Sequence, residues 1–422
     1  MRTPLSGIAL PRALKLFLQW NGILYVACII IKVICGTIFG LRGQYSYSFL
    51  QEHYPDFLNL APAFSDFHHI EFFTRPRPES VMYPAPVAVA YELFMLAGSH
   101  SFVFFMSFIL FAFAIAAFLF RKELIRRGLT PVASTNFIAL TVLFGYPLHF
   151  EWKQANIEIV VWCLLSVALW ALFRRRPYLA AVCIGIAGAM KIFPLVYAGL
   201  LISQRKYRAM ALCFTVAITT TVVSLWLVYP SIPLSWRLTN ANVALFRDLY
   251  MLHLRQEIGF DHSIWGAVKA LENAMRNHFP YPDRLSPYLN LYIGSIGIAG
   301  MLLYFLRIRL LPLANQVLCL CIASITFPPV SFDYTLIHLY GPWAILTIIA
   351  LDEWRSGREV AHFAWVFVLF ALLFAPESEF IYHSQMFGGQ VKAVILVILL
   401  FIGLRFPFPE MSGGIAPEPA SD

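Results

Sequence analysis

Charged residues are scarce in this sequence. Asp, Glu, Lys and Arg make up 13% of its 422 residues, whereas 59% are hydrophobic. A soluble chain carries about a quarter charged residues, so the composition excludes a soluble globular protein, a disordered chain and a nucleic-acid-binding protein. The sequence predicts an all-α polytopic transmembrane helical bundle. In such a protein the net charge of +8 concentrates on cytoplasmic loops, and no nucleic-acid partner is expected.

The sequence also gives no indication of a disulfide framework or of a cleavable leader. The seven cysteines all lie inside apolar runs, where they are expected to be small buried side chains. The basic N-terminus precedes a long apolar run without a small-residue cleavage site, which predicts a retained first span.

Apolar runs long enough to cross a bilayer recur along the chain, since a spanning helix needs about 20 residues. Clear runs cover residues 16–39, 101–120, 131–149, 157–173, 209–229, 287–306, 312–327, 335–351, 361–375 and 390–404. Several are short, which predicts broken or tilted helices.

Residues 81–97 form an apolar segment that is too short for a clear span. If this segment crossed the membrane, the basic cluster at 121–127 would lie outside. Because Lys and Arg favour the cytoplasmic side, the segment is predicted to be an interfacial helix on the outer surface.

Residues 178–203 lie between two basic clusters, at 174–176 and 205–208. A single span would place one of the clusters outside. Lys191 and Pro194 interrupt the segment, so it is predicted to be a hairpin of two short helices that meet near Lys191.

These choices give about 12 spans, with both termini in the cytoplasm and two long outer loops at about 40–100 and 230–286. Residues 1–405 are predicted to form one transmembrane domain, and residues 406–422 a disordered cytoplasmic tail. The basic clusters then all lie inside, at 121–127, 174–176, 205–208, 307–309 and 355–358.

Polar residues at the outer ends of spans are candidates for function, because an ionisable group at membrane depth costs about 2.5–3.5 kcal/mol. In the first outer loop, Asp56 and Asp66 are candidates for a carboxylate base, with ordinary solvated charges as the alternative. The adjacent pair His68 and His69 is only weak support for a metal site.

Gln154, Asn156 and Glu158 stand at the start of the span at 157–173. They are predicted to contribute to a site, with helix capping as the alternative. Lys191 has no neighbouring acid in the sequence and is predicted to bind an anion such as phosphate. Snorkelling to the headgroups is the alternative.

The second outer loop contributes Arg247, Arg255, Asp261 and His262, with a partly solvated amphipathic face as the alternative. Asp261, His262 and Ser263 resemble a catalytic triad only in residue type. The G-x-S-x-G motif is missing, and adjacent residues do not make triad geometry, so a serine hydrolase is excluded.

Asp333 and His338 follow a diproline turn at the outer end of another span. Acids, histidines, a lysine and aromatics thus concentrate on the outer side, while the inner loops carry plain basic clusters. This asymmetry predicts a site that opens to the outer face.

Five passages carry a family resemblance. They are DFLNL at 56–60, YPAP at 83–86, KQAN at 153–156, KIFP at 191–194 and PPVSFD at 328–333. In order and spacing they resemble motifs of glycosyltransferase family 87, whose members are GT-C membrane glycosyltransferases. The likeness extends from about residue 15 to 351.

The resemblance implies a GT-C bundle that moves a hexosyl group, mannosyl in the characterised members, from a polyprenyl-phosphate-sugar to a lipid or glycan acceptor on the outer face. It also implies an acidic base in the first outer loop, which by motif position is Asp56, with Asp66 as the alternate. The donor, the acceptor and membrane lipids are the expected partners.

The chemistry assigns roles to the remaining candidates. The leaving phosphate needs fixed cations; a metal or other cofactor is not expected, because a phosphate-linked sugar already has an adequate leaving group. One base without a second carboxylate predicts inversion at the anomeric carbon. The residues predicted to bind the donor phosphate are Lys191, Arg247, Arg255 and His338. Those predicted to bind substrate are Tyr83, Gln154, Asn156, Glu158, Asp261, His262 and Asp333.

Two other functions remain open. A secondary transporter or lipid flippase would explain the many spans and Lys191, but it explains the long aromatic outer loops poorly. A non-catalytic scaffold subunit is the third possibility. The expected location is a bacterial inner membrane, with the site facing the periplasm.

Overall fold

A computed structural model describes residues 10–37, 55–74, 83–253, 258–278, 285–358, 361–376, 381–382, 385–386 and 388–410. The α-helices are α1 (Arg12–Thr37), α2 (Pro55–Leu60), α3 (Glu71–Thr74), α4 (Ala85–Met95), α5 (Ser101–Arg126), α6 (Pro131–Leu143), α7 (Tyr146–Gln154), α8 (Glu158–Phe173), α9 (Pro177–Met190), α10 (Ala198–Ser203), α11 (Tyr207–Val228), α12 (Ile232–Phe246), α13 (Ile264–His278), α14 (Leu285–Leu306), α15 (Leu313–Thr326), α16 (Tyr340–Arg355), α17 (Ala361–Leu373) and α18 (Gly388–Arg405).

Shorter elements join these helices. A π-helical turn covers Arg247–His253, and a two-residue antiparallel hairpin pairs β1 (Ile381–Tyr382) with β2 (Gln385–Met386). The 3-10 helices are Ala61–Asp66, Gly98–His100, Phe193–Tyr197, Ile258–Phe260, Ile308–Leu310 and Asp333–Leu339.

Within the described residues, 6 helices are long and apolar enough to cross a membrane, or 7 if the bent pair α6–α7 is one span. They confirm the predicted all-α polytopic bundle. The other segments predicted as spans are shorter apolar helices, namely α8, α9, α10 with the 3-10 helix before it, α15 and α17.

The segment at 131–149, predicted as a span, is broken in the structure. α6 ends at Leu143, and the chain bends by 55° before α7 begins at Tyr146. Gly145 lies in the bend, where a Cβ atom would collide with the Tyr340 hydroxyl and the Thr141 carbonyl oxygen. The bend therefore depends on close packing against α16, which hydropathy does not reveal.

The predicted interruption at Lys191 is confirmed. α9 ends at Met190, and Lys191 has extended backbone angles of φ −141° and ψ 136°. Beyond it, Leu195 packs so closely on Gly188 that a Cβ atom at the glycine would overlap the leucine side chain. The second arm therefore folds back on α9, and the Lys191 side chain stands at the break.

The predicted interfacial helix corresponds to α4. Its 11 residues extend about 16 Å, roughly half the thickness of a bilayer core, so α4 does not span. Val87, Ala88 and Tyr91 are nevertheless buried in the bundle. One face of α4 is thus part of the protein core.

The basic clusters gather at one end of the bundle. Arg127, just after α5, forms an ion pair with Asp352 of α16, and Arg307 donates a 2.9 Å hydrogen bond to the Leu404 carbonyl of α18. Arg174 lines the same cavity as Arg127. The opposite end, about 24 Å away along the 16 residues of α8, carries most of the predicted site residues.

Candidate active site

The turn between α7 and α8 places two polar side chains at the start of α8. Ala155 is buried and adopts a left-handed conformation, φ 50° and ψ 49°, which costs an L-residue about 1–2 kcal/mol. After this turn the Asn156 Oδ1 atom accepts a 2.8 Å hydrogen bond from the Glu158 amide, and the Ile157 amide donates to the Tyr91 hydroxyl at 3.1 Å. Asn156 thus binds the first amide of α8 from the position before the N-cap residue Ile157.

The same asparagine also contacts the predicted base. Asp56 lies in the first turn of α2 and is half-buried, and its Oδ2 atom accepts a 2.6 Å hydrogen bond from Asn156 Nδ2. Tyr83 lies nearby. Its burial, and then the charge of Asp56, raise the pKa of the Tyr83 hydroxyl well above its usual value, so this hydroxyl keeps its proton and can act as a donor.

Glu158 joins Lys191 to His338. Its carboxylate is fully buried, with Oε2 accepting a hydrogen bond from Lys191 Nζ and Oε1 lying 2.5 Å from His338 Nε2. Lys191 Nζ also lies 4.9 Å above the centre of the Tyr334 ring. Lys191 therefore points into the protein, and the acid that the local sequence lacks comes from α8. We call Asp56, Asn156, Glu158, Lys191 and His338 the acid–base cluster.

A second group is centred on Asp333. Its Oδ2 atom accepts hydrogen bonds from the Tyr146 hydroxyl at 2.7 Å and from Lys392 Nζ at 3.0 Å, and its Oδ1 atom lies 3.3 Å from His262 Nδ1. All four side chains are fully buried. Sequence analysis missed Lys392, although a lone lysine in the apolar run at 390–404 was a signal.

His262 also approaches a serine. Its Nε2 atom lies 3.1 Å from the hydroxyl of Ser331, so Asp333, His262 and Ser331 have the order of a catalytic triad. However, Ser331 is only 4% exposed, and its hydroxyl also contacts Thr335 at 2.9 Å. These contacts make a structural network rather than an accessible nucleophile.

Asp261 fastens the second outer loop to this network. Its Oδ1 atom accepts hydrogen bonds from the amides of Ser263 at 3.0 Å and Ser331 at 3.1 Å, and Lys269 Nζ lies 2.9 Å from Oδ2. Asp261, His262 and Asp333 are fully buried. The contacts described for them are with the protein itself, and their predicted role in substrate binding stays a prediction.

The structure describes three more of the predicted residues. Arg247 in the π-helical turn donates a 2.9 Å hydrogen bond to Asn290 of α14, on the surface. Asp66 ends the 3-10 helix after α2, and Gln154 is the half-buried last residue of α7. Arg255 lies outside the described residues.

Glu151 is a further buried acid that was not among the predicted site residues. It lies on α7 and is fully buried. Among the described residues, neither of its carboxylate oxygens has a hydrogen-bond partner. Its nearest charges include those of Glu158, Lys191 and Asp56. Burial of a carboxyl group without a hydrogen-bond partner costs free energy. Glu151 is therefore expected to destabilise the fold next to the acid–base cluster.

The described part of the chain holds no group of three or more His, Cys, Asp or Glu side chains placed to bind a metal ion. The expectation that no metal is needed stays a prediction.

Comparison with known proteins adds one finding. The model of glycosyltransferase family 87 matches residues 82–376, more than half of the chain. Neither a curated protein nor a solved structure matches. The matched region contains every member of the acid–base cluster except Asp56.

Proposed function

The chain belongs to glycosyltransferase family 87 and is a membrane glycosyltransferase, and we propose that it transfers a hexosyl group, specifically mannosyl, from a polyprenyl-phosphate-sugar to a lipid or glycan acceptor. The observation that carries the proposal is the acid–base cluster. It holds a carboxylate, Asp56, together with the cation Lys191 and the histidine His338, at the end of the bundle opposite the basic clusters.

Asp56 is the general base in this proposal. Its carboxylate takes the proton from the acceptor hydroxyl while the hydroxyl oxygen attacks the anomeric carbon, a contribution of roughly 10²- to 10⁴-fold. The Asn156 hydrogen bond fixes one carboxylate oxygen and favours the ionised form. Asp56 is the carboxylate in contact with the α7–α8 turn, which favours it over the alternate Asp66.

Lys191 and His338 hold the donor phosphate. The bond between the anomeric carbon and the phosphate oxygen breaks, and its electron pair leaves with the polyprenyl phosphate. The Glu158 carboxylate contacts both side chains and holds them together. A fixed cation where charge develops stabilises the transition state, and in this proposal Lys191 supplies that charge without a metal.

Inversion follows from the availability of carboxylates. Both oxygens of Glu158 are occupied, by Lys191 and His338, and Glu151 is fully buried, so neither glutamate is suited to attack the sugar. A single displacement with Asp56 as base reverses the anomeric configuration. The positive-inside rule, applied to the basic clusters, supports cytoplasmic termini and an acid–base cluster on the outer face, which is the periplasmic side in the bacterial inner membrane that we propose as the location.

The test is sugar transfer by the purified full chain in detergent, without an ion gradient. The assay contains labelled polyprenyl-phosphate-mannose and a membrane-lipid extract as the acceptor source, and it runs with and without a chelator. We expect label in a new product of inverted configuration at equal rates in both conditions. Retained configuration, loss of activity with chelator, or use of nucleotide-linked mannose alone would contradict the proposal. Gradient-driven movement of the lipid without a new glycosidic bond would indicate the transporter instead.

A further inference from the structure

An apolar groove of about 1690 Å³ runs between α5, α8 and α16. It is lined by Phe111 and Ile115 of α5, Trp162 and Trp170 of α8, and Trp343 of α16. α5 stands away from the rest of the bundle, since only 17% of its apolar window is buried. In a bilayer such a groove is filled by lipid chains, because water there would lack hydrogen-bond partners.

The two ends of the groove differ in chemistry. At one end Trp162 lies one helical turn below Glu158, among apolar neighbours. At the other end the lining residues carry five positive and two negative charges; they are Lys122, Arg126, Arg127, Arg174, Arg175, Glu123 and Glu410. The groove therefore joins a long apolar channel to a net positive rim.

Part of this positive charge is already neutralised. Arg127 pairs with Asp352 and, at 2.9 Å, with Glu123, which also accepts from Arg126 at 2.7 Å. In contrast, Lys122 and Arg174 are exposed, and among the described residues neither forms an ion pair. Lys122 lies on α5 and Arg174 directly follows α8. Both line the same groove, so they leave a positive charge that a bound headgroup can neutralise.

We propose that this groove is a binding site for a phospholipid with a net negative headgroup, separate from the donor site at Lys191. The acyl chains lie against the aromatic walls, and the phosphate contacts Lys122 and Arg174. Basic pockets between membrane helices on the cytoplasmic side bind anionic headgroups through this combination of charge and apolar surface. Zwitterionic lipids fit the apolar walls equally well but lack the net charge that the rim favours.

The test is lipid binding by the full-length protein, delipidated in detergent and measured by native mass spectrometry. Phosphatidylglycerol and phosphatidylcholine with identical acyl chains are the two probes. We expect wild type to retain phosphatidylglycerol in preference to phosphatidylcholine. The double variant Lys122→Ala/Arg174→Ala should bind phosphatidylglycerol about 10- to 30-fold more weakly, given the contribution of each basic residue at a membrane surface, and should bind phosphatidylcholine unchanged.

The matched control is Lys206→Ala/Arg208→Ala, which removes the same charge from exposed residues at the same end of the bundle but outside the groove. This control variant should bind both lipids as tightly as wild type does. If both double variants bind phosphatidylglycerol equally weakly, or if neither binds it more weakly than wild type, the proposal is overturned. The preference for phosphatidylglycerol would then not depend on the residues at the groove rim.

Two further measurements test where the lipid binds. Ala116 of α5 lines the groove, so Ala116→Trp should fill it and displace both lipids. Retention of phosphatidylglycerol by Ala116→Trp would place the lipid elsewhere. Displacement of phosphatidylglycerol from wild type by an equimolar uncharged polyprenol would assign the groove to the polyprenyl chain and also overturn the proposal. None of these outcomes depends on sugar transfer.

Discussion

Asn156 donates a 2.6 Å hydrogen bond to Asp56, which precedes it by 100 positions in the sequence. This bond connects the short helix α2 in the first outer loop to the start of α8. A hydrogen bond to a charged group contributes about 1.5–3 kcal/mol. Asn156 therefore sets the orientation of the carboxylate that we propose as the base.

Replacing Asn156 with Ala should lower kcat by roughly 10- to 100-fold and leave the KM for the donor within a factor of about three. The reason is that Asp56 loses its positioning partner while the phosphate-binding groups stay in place. Steady-state transfer assays measure both constants. Asn240→Ala, an exposed asparagine of α12, is the control and should behave as wild type. An unchanged kcat in Asn156→Ala would show that the hydrogen bond plays no part in catalysis.

Replacing Lys191 with Met should lower the transfer rate by roughly 10²- to 10³-fold, the usual loss when a group that stabilises transition-state charge is removed. Lys191→Arg should recover part of the rate, because it restores the positive charge. The exposed Lys206 provides the control variant Lys206→Met. If Lys191→Met transfers sugar as fast as wild type, the assignment of the phosphate site is wrong.

The buried pair of Asp333 and Lys392 should contribute mainly to stability. Asp333→Asn or Lys392→Met alone leaves the other charge buried without its partner, which should lower the free energy of unfolding by about 3–5 kcal/mol. The double variant Asp333→Asn/Lys392→Met should be more stable than the sum of the two changes predicts. Thermal unfolding in detergent measures the coupling, with Asp248→Asn on the surface as control. If the loss of stability in the double variant equals the sum of the two single losses, the two groups do not interact.

Two buried glutamates of neighbouring helices should respond in opposite ways to the same substitution. Glu151→Gln should raise the unfolding midpoint, because it removes a buried carboxyl group that has no hydrogen-bond partner among the described residues. Glu158→Gln should lower it, because Lys191 loses its counter-charge and His338 loses the carboxylate that it contacts. The two variants serve as controls for each other, and shifts of the same sign would contradict the account.

Much of the local structure could be predicted from the sequence. The break at Lys191 follows from a lysine and a proline inside an apolar run, and the placement of Asn156 and Glu158 follows from polar residues at the start of a span. Hydropathy also gave the all-α polytopic fold. Such features depend on neighbours in the sequence, which one chain displays directly.

The pairing of distant residues could not be predicted. His338 meets Glu158 across 180 positions and Lys392 meets Asp333 across 59, and a single sequence contains no signal for either contact. The bend at Gly145 likewise depends on the Tyr340 side chain of another helix. Tertiary packing decided these features.

The most direct test of the central claim is the rate of sugar transfer by Asp56→Asn from polyprenyl-phosphate-mannose. Asp66→Asn is the matched control, since it makes the same change in the same outer loop. The account predicts a loss of roughly 10²- to 10⁴-fold for Asp56→Asn and a rate close to wild type for Asp66→Asn. Transfer by Asp56→Asn at the wild-type rate, or a comparable loss in Asp66→Asn alone, would contradict the assignment of the base.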